Sequence, residues 1–185
     1  MIRLMYLLKL GIAFVHSKLD PIGYALRLGV QLGRDVKFYG MKPFMFGSEP
    51  WLVRIGDQCH ITSGCQFVTH DGGTLVIRWR DPTLEITAPI VMGSRVYVGI
   101  NTIILPGVTI GDDVIIGAGS VVTRDIPSGS VAAGVPARVL KSTDEYFFQS
   151  KEKSLGLGHL PAAEKELALR EFFMDFIGPQ EEVTE

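Results

Sequence analysis

The 185-residue chain has little of several things that would narrow its function quickly. It has two cysteines, Cys59 and Cys65. They are one six-residue unit apart, on neighbouring faces of a repeat, and read as buried free thiols of a reducing, cytoplasmic compartment. It has no surplus of charge. With 18 basic and 20 acidic side chains the net charge is −2, so nothing electrostatic points to nucleic acid and any anion site must be local. No apolar run reaches the ~20 residues of a spanning helix. The most hydrophobic segment near an end, residues 1–15, is interrupted by Arg3 and Lys9 and is not followed by an A-x-A cleavage site. It reads as a helix docked on the body of the protein or on a neighbouring subunit. Peripheral membrane contact is the lesser reading, since Leu4, Leu7, Leu8 and Lys9 suit either. Zinc takes three or four convergent ligands. Of the four histidines, His16 and His159 fall outside the repeat, so no metal site is predicted.

What the sequence does have is a period of six over residues 90–123. Met92, Val98, Ile104, Ile110, Ile116 and Val122 recur at that interval, followed by Gly93, Gly99, Leu105, Gly111, Gly117 and Thr123. Two places earlier stand Ile90, Val96, Thr102, Val108, Val114 and Ser120. Short alternation broken by glycine-containing corners means strands joined by tight turns, not a helix of period 3.6. Three such units close a triangular coil and place residues eighteen apart one above another, roughly 4.8 Å apart. Met92 then stacks on Ile110, Val98 on Ile116 and Ile104 on Val122. Several coils and covered ends are needed before such a prism buries a core.

The rest of the chain supplies them. Asp20 caps a short helix that begins at Pro21 and runs to about Arg27. The repeat starts at Leu28, breaks over 40–51, resumes at Val53 and breaks again over 72–89. The repeat phase differs by one residue across this second break, which marks an extruded loop. Residues 134–138 read as an extended exit strand. Helical patterns follow over 144–153 and 162–177, the latter with Phe172, Phe173 and Phe176 on one side and expected to cap or clasp the prism. Residues 179–185 read as a frayed, acidic end. The expected organisation is an N-terminal helical segment, 1–27, a β-coil domain, 28–141, and a C-terminal helical extension, 142–185. The fold class is all-β with helical appendages.

His70 ends a repeat unit at the edge of the extruded loop, between Thr69 and Asp71, where a ring can serve as general base if a partner orients it. Asp71 is a candidate for that partner, although neighbours on a strand point to opposite sides, and a carboxylate from elsewhere is the alternative. His60 reads as a strand-end histidine. Trp79, between Arg78 and Arg80 on the extruded loop, is a candidate contact for substrate, as is Asp71. Arg124, Arg138 and Lys141 form a basic set beside the small-residue corners Gly117-Ala118-Gly119 and Gly134, where an extended phosphorylated ligand can lie close to the backbone.

Three runs, residues 106–112, 116–127 and 133–139, resemble the hexapeptide-repeat acyltransferases, and within them the galactoside, maltose and polysaccharide O-acetyltransferases. The segments 38–40, 46–50 and 69–73 resemble members that modify capsule or lipopolysaccharide sugars. The resemblance implies a left-handed parallel β-helix, a homotrimer, and acetyl-CoA in a groove between two subunits. It also implies that His70 is the base for direct acetyl transfer to a sugar hydroxyl. The pantetheine arm would pass Tyr97, Gly99, Ile100, Gly117 and Ala118, with Thr123, Arg124, Arg138 and Lys141 near the nucleotide and its phosphates. Tyr97 stands where tryptophan is common and Ile100 where serine is frequent. Other readings remain: an N-acetyltransferase acting on an amino sugar nucleotide, acyl transfer to a small amino acid, and a non-catalytic β-helical scaffold. A zinc hydratase on this fold would need three convergent histidines.

Overall fold

The computed structural model describes residues 2–178, and the stretch 179–185 lies outside the described residues. The chain divides into two compact units, 1–146 and 147–185.

In the first unit, helix α1 (Ile2–Leu19) leads into α2 (Pro21–Arg27). The Asp20 side chain accepts a hydrogen bond from the Gly23 amide at 2.8 Å, and Pro21 occupies the first turn, where no amide donor is missed. Along α1 only Ser17 is buried among the described side chains, so within one chain this helix does not lie down on the β-structure, the first of the two placements expected for it.

The strands then form three sheets, which the chain visits in turn. Sheet I holds β1 (Gln31–Leu32), β3 (Val53–Ile55), β6 (Ile90–Met92) and β9 (Thr109–Ile110). Sheet II holds β2 (Lys37–Phe38), β4 (His60–Ile61), β7 (Tyr97–Val98), β10 (Ile115–Ile116), β12 (Ser130–Gly134) and β13 (Ala137–Ser142). Sheet III holds β5 (Gln66–Phe67), β8 (Ile103–Ile104) and β11 (Val121–Val122). All pairings are parallel except β12 with β13.

The registers are those the period of six requires: Met92 pairs with Ile110, Val98 with Ile116 and Ile104 with Val122. These six side chains are essentially inaccessible to water. The ladders continue through Phe67 and Ile104 in sheet III and through Ile61 and Val98 in sheet II. Each fully buried aliphatic side chain contributes roughly 1.5–3 kcal/mol of transfer free energy. The corners are polar inside but satisfied: Thr102 Oγ1 donates to the Gly99 carbonyl at 2.7 Å and Ser120 Oγ to that of Gly117 at 2.6 Å. Cys59 and Cys65 are free and buried, their thiols pushed up by that burial and donating to the Gly93 and Gly99 carbonyls.

Both interruptions of the repeat are built into the body. Residues 40–51 send Met41, Met45 and Phe46 into the core, where Phe46 packs on Phe38 and Phe67. The Met45 carbonyl accepts from the Phe67 amide at 2.8 Å, tying this loop to β5. The extruded loop 72–89 closes at its neck by an antiparallel bridge between His70 and Thr87. The expected exit strand is instead a turn: residues 134–138 bring the chain back so that β13 pairs antiparallel with β12, because the last coil has no successor and its edge must be covered. In the C-terminal region α3 (Thr143–Lys153) and α4 (Ala162–Phe172) form as patterned, but the second pattern breaks at Phe173 before a short α5 (Met174–Ile177). No residue of α3 or α4 is buried.

Candidate active site

His70 follows β5, at the corner where the chain leaves sheet III for sheet I. The adjoining coils turn the same corner at 105–108 and 123–125. The neck of the extruded loop holds the backbone here, with the Ala88 amide donating to the Thr69 carbonyl and the Asp71 amide to that of Ile86.

The orienting group is Glu49, a residue of the resembling segment 46–50 for which no role is predicted from sequence. Its Oε2 lies 2.9 Å from His70 Nδ1 and accepts from Thr69 Oγ1 at 2.7 Å. The Thr69 hydroxyl first, and His70 second, hold the Glu49 carboxyl below its ordinary value. An ionised carboxylate accepts only, so Nδ1 carries the proton, and in the neutral ring the lone pair is then on Nε2. Nε2 has no hydrogen-bond partner among the described residues, and the side chain is 37% exposed. Asp71 does not orient the ring, because its carboxylate accepts from the Gly73 amide at 2.8 Å and starts the 3₁₀ turn Gly72–Val76.

The extruded loop stands in water beside this corner. Trp79 is 76% exposed, with the Arg80 guanidinium 5.0 Å above its ring, and Leu75, Val76 and Ile77 are also exposed. Arg78 is occupied by Glu85 and by the Leu84 carbonyl.

The residues expected to hold a donor lie elsewhere. Gly99, Ile100, Gly117 and Ala118 form the corner between sheets II and III, where Gly134 continues the stack above Ala118. The backbones here are in close contact: a Cβ on Gly99 would meet the Ala118 nitrogen at 2.5 Å. Ile100 and Ala118 face solvent, and a Cβ on Gly119 would meet nothing within 4 Å. Arg138, exposed on β13, pairs with Ala133 at the same end. Small residues, open backbone and a cation fit an extended phosphorylated donor. Tyr97 is next to this corner but projects from the outer face of sheet II, in register with His60, whose Nδ1 is 2.9 Å from the Tyr39 hydroxyl. Lys141 is on the same sheet, 5.9 Å from the Tyr146 ring. Thr123 and Arg124, by contrast, are exposed at the His70 corner. The three cations therefore do not form one patch. Within one chain the two halves of the expected site stand at opposite edges of sheet III.

That sheet differs from its neighbours on the outside. Its outward column is Gln66, Ile103 and Val121, without a charge, whereas sheet I presents Arg54 and sheet II presents Lys37. No group of three His, Cys, Asp or Glu side chains that could hold a metal occurs among the described residues.

Residues 89–124 match the bacterial transferase hexapeptide family (six repeats). The chain is 43% identical over 120 residues to the protein CapG of Staphylococcus aureus, across 65% of this chain and 70% of that protein. It is 51% identical over 65 residues to the galactoside O-acetyltransferase of Escherichia coli (strain K12), across about a third of each, 33% and 32%. Among solved structures, a hexapeptide-repeat-containing acetyltransferase from Vibrio cholerae superposes with a TM-score of 0.53 at 25% identity, over 72% of this chain and 88% of that one.

Proposed function

The chain belongs to the bacterial hexapeptide-repeat transferases and is an acyltransferase, and from that premise we propose that it moves an acetyl group from acetyl-CoA to a sugar hydroxyl. The observation that carries the reading is His70, with Nδ1 held by Glu49 and Nε2 open to solvent at the rim of an extruded loop. The galactoside relative supports an O-acetyl product, and the resemblance of the 46–50 and 69–73 segments supports a surface-polysaccharide acceptor.

The donor supplies an activated thioester whose acetyl carbon is open to attack by an oxygen nucleophile. His70 Nε2 takes the proton from the acceptor hydroxyl as that oxygen attacks, and afterwards returns it to the departing thiolate. Glu49 keeps the ring in the tautomer that makes this possible and stabilises the imidazolium between the two steps. Trp79 offers an apolar face and Arg80 a cation to the acceptor. Gly99, Gly117 and Ala118 line the donor's arm with backbone, and Arg138 receives its phosphates.

A left-handed β-helix assembled as a homotrimer unites the halves of the site. The uncharged outer column of sheet III supports this arrangement: it lets one copy's His70 corner approach the small-residue corner of the next. The two free, buried cysteines support a cytoplasmic location. No helix among the described residues is long and apolar enough to cross a membrane.

The test is thiol release from acetyl-CoA against a panel of sugars, nucleotide sugars and lipid-linked oligosaccharides, with His70→Ala in parallel. The expected result is turnover with a sugar that falls ~10²–10⁴-fold in the variant while acetyl-CoA still binds. Turnover with amino groups only would move the assignment to N-acetyl transfer, and absence of acetyl-CoA binding would leave a scaffold.

A further inference from the structure

Helix α1 presents a face that nothing in the fold covers. Met5, Leu8, Ile12, Val15 and Leu19 recur at intervals of three and four, which puts them on one side of a helix turning about 100° per residue. All five are roughly half or more exposed, from 48% at Ile12 to 80% at Leu19. The opposite side holds the half-buried Leu10 and Ala13 and the buried Ser17, with the exposed Leu7 and Phe14 beside them. Lys9 and Lys18 stand about a quarter turn to either side of the apolar stripe, both exposed.

Charge decides between the occupants such a face can have. Residues 1–19 hold Arg3, Lys9 and Lys18 and no acidic residue. The remaining fifteen cations face all twenty acids, so the segment is +3 on a body of −5. Packing helices of further copies along this stripe would bring like charges together with no acid to pair them. An apolar stripe flanked by lysines and free of acid instead complements an anionic bilayer surface. The stripe enters the acyl boundary and the lysine stems reach up to the headgroups. α1 lies in the plane of such a surface, since it is not long and apolar enough to cross it. We infer that α1 is an interfacial anchor that holds the protein on anionic lipid through Met5, Leu8, Ile12, Val15 and Leu19, with Lys9 and Lys18 at the headgroups.

The full chain is tested by co-sedimentation with vesicles of equal parts phosphatidylcholine and phosphatidylglycerol, and with phosphatidylcholine alone. The expected result is binding to the anionic vesicles at least about tenfold stronger than to the neutral ones, weakening as salt is raised. Lys9→Gln and Lys18→Gln each lower it roughly fivefold. Leu8→Ser with Ile12→Ser lowers it by at least about tenfold while leaving circular dichroism and melting temperature unchanged, because those side chains already face water. Binding to neither vesicle overturns the inference, as does binding indifferent to lipid charge. A Leu8→Ser, Ile12→Ser variant that keeps its vesicle binding but loses its assembly in sedimentation velocity also overturns it, and assigns the stripe to a second copy.

Discussion

Glu49 and His70 are 21 positions apart in sequence and 2.9 Å apart in space, and the chemistry proposed here depends on that contact. Replacing Glu49 with Gln keeps the shape but removes the charge that fixes the ring's tautomer. Turnover is expected to fall at least about tenfold with little change in acetyl-CoA affinity, and Glu49→Asp to recover part of the loss. A merely structural Glu49 would change stability without separating turnover from donor affinity. The same carboxyl has a pH signature. Its folded value lies below the ordinary 4.5, so the unfolded chain binds its proton first as pH falls. The stabilisation is complete above 4.5 and is lost on acidification through the lowered folded value. The gap in urea midpoint between wild type and Glu49→Gln should therefore be widest near neutrality and close below 4.5. A gap that widened in acid would disprove the contact.

At the scale of elements, strands of two and three residues hold together because each is stacked in a ladder on the strand eighteen residues away, and no such strand is stable by itself. Ile104 sits mid-ladder between Phe67 and Val122 with no exposed surface. Ile104→Ala should cost ~2–5 kcal/mol in urea denaturation, since three stacked coils cannot close around the gap. The corner glycines are constrained differently. A Cβ on Gly99 would strike backbone, not a movable side chain, so Gly99→Ala should displace the corner itself. Its loss of acetyl-CoA affinity, measured by calorimetry, should exceed that of a similarly destabilised ladder variant. The antiparallel return of β13 follows from the same logic at the end of the ladder, where an uncovered edge would pair with another chain.

For the molecule as a whole, the separation of the two corners by sheet III makes a specific demand on assembly. A chain with His70→Ala retains a sound donor corner, and a chain with Ala118→Trp, which obstructs that corner, retains a sound His70. Each variant should be inactive alone. Refolded together they should recover a fraction of wild-type turnover, because some interfaces then join two intact halves. If mixing restored nothing while both variants assembled normally, the site would lie within one chain.

The ladders, the Asp20 cap and the placement of His70 at a corner were legible in the sequence because they depend on local spacing: six residues per side, eighteen per circuit, Asp20 before Pro21. Glu49 left only a faint trace, within a short segment, because its position is set by Met45 and Phe46 entering the core and by the Met45 carbonyl bonding to β5. The same holds for Asp71, whose carboxylate turns to its own loop. The division of the basic residues between two corners, the break at Phe173 and the open stripe of α1 also had to come from the tertiary structure. Periodicity tells which side of an element is apolar, but what that side meets depends on contacts between residues distant in the chain.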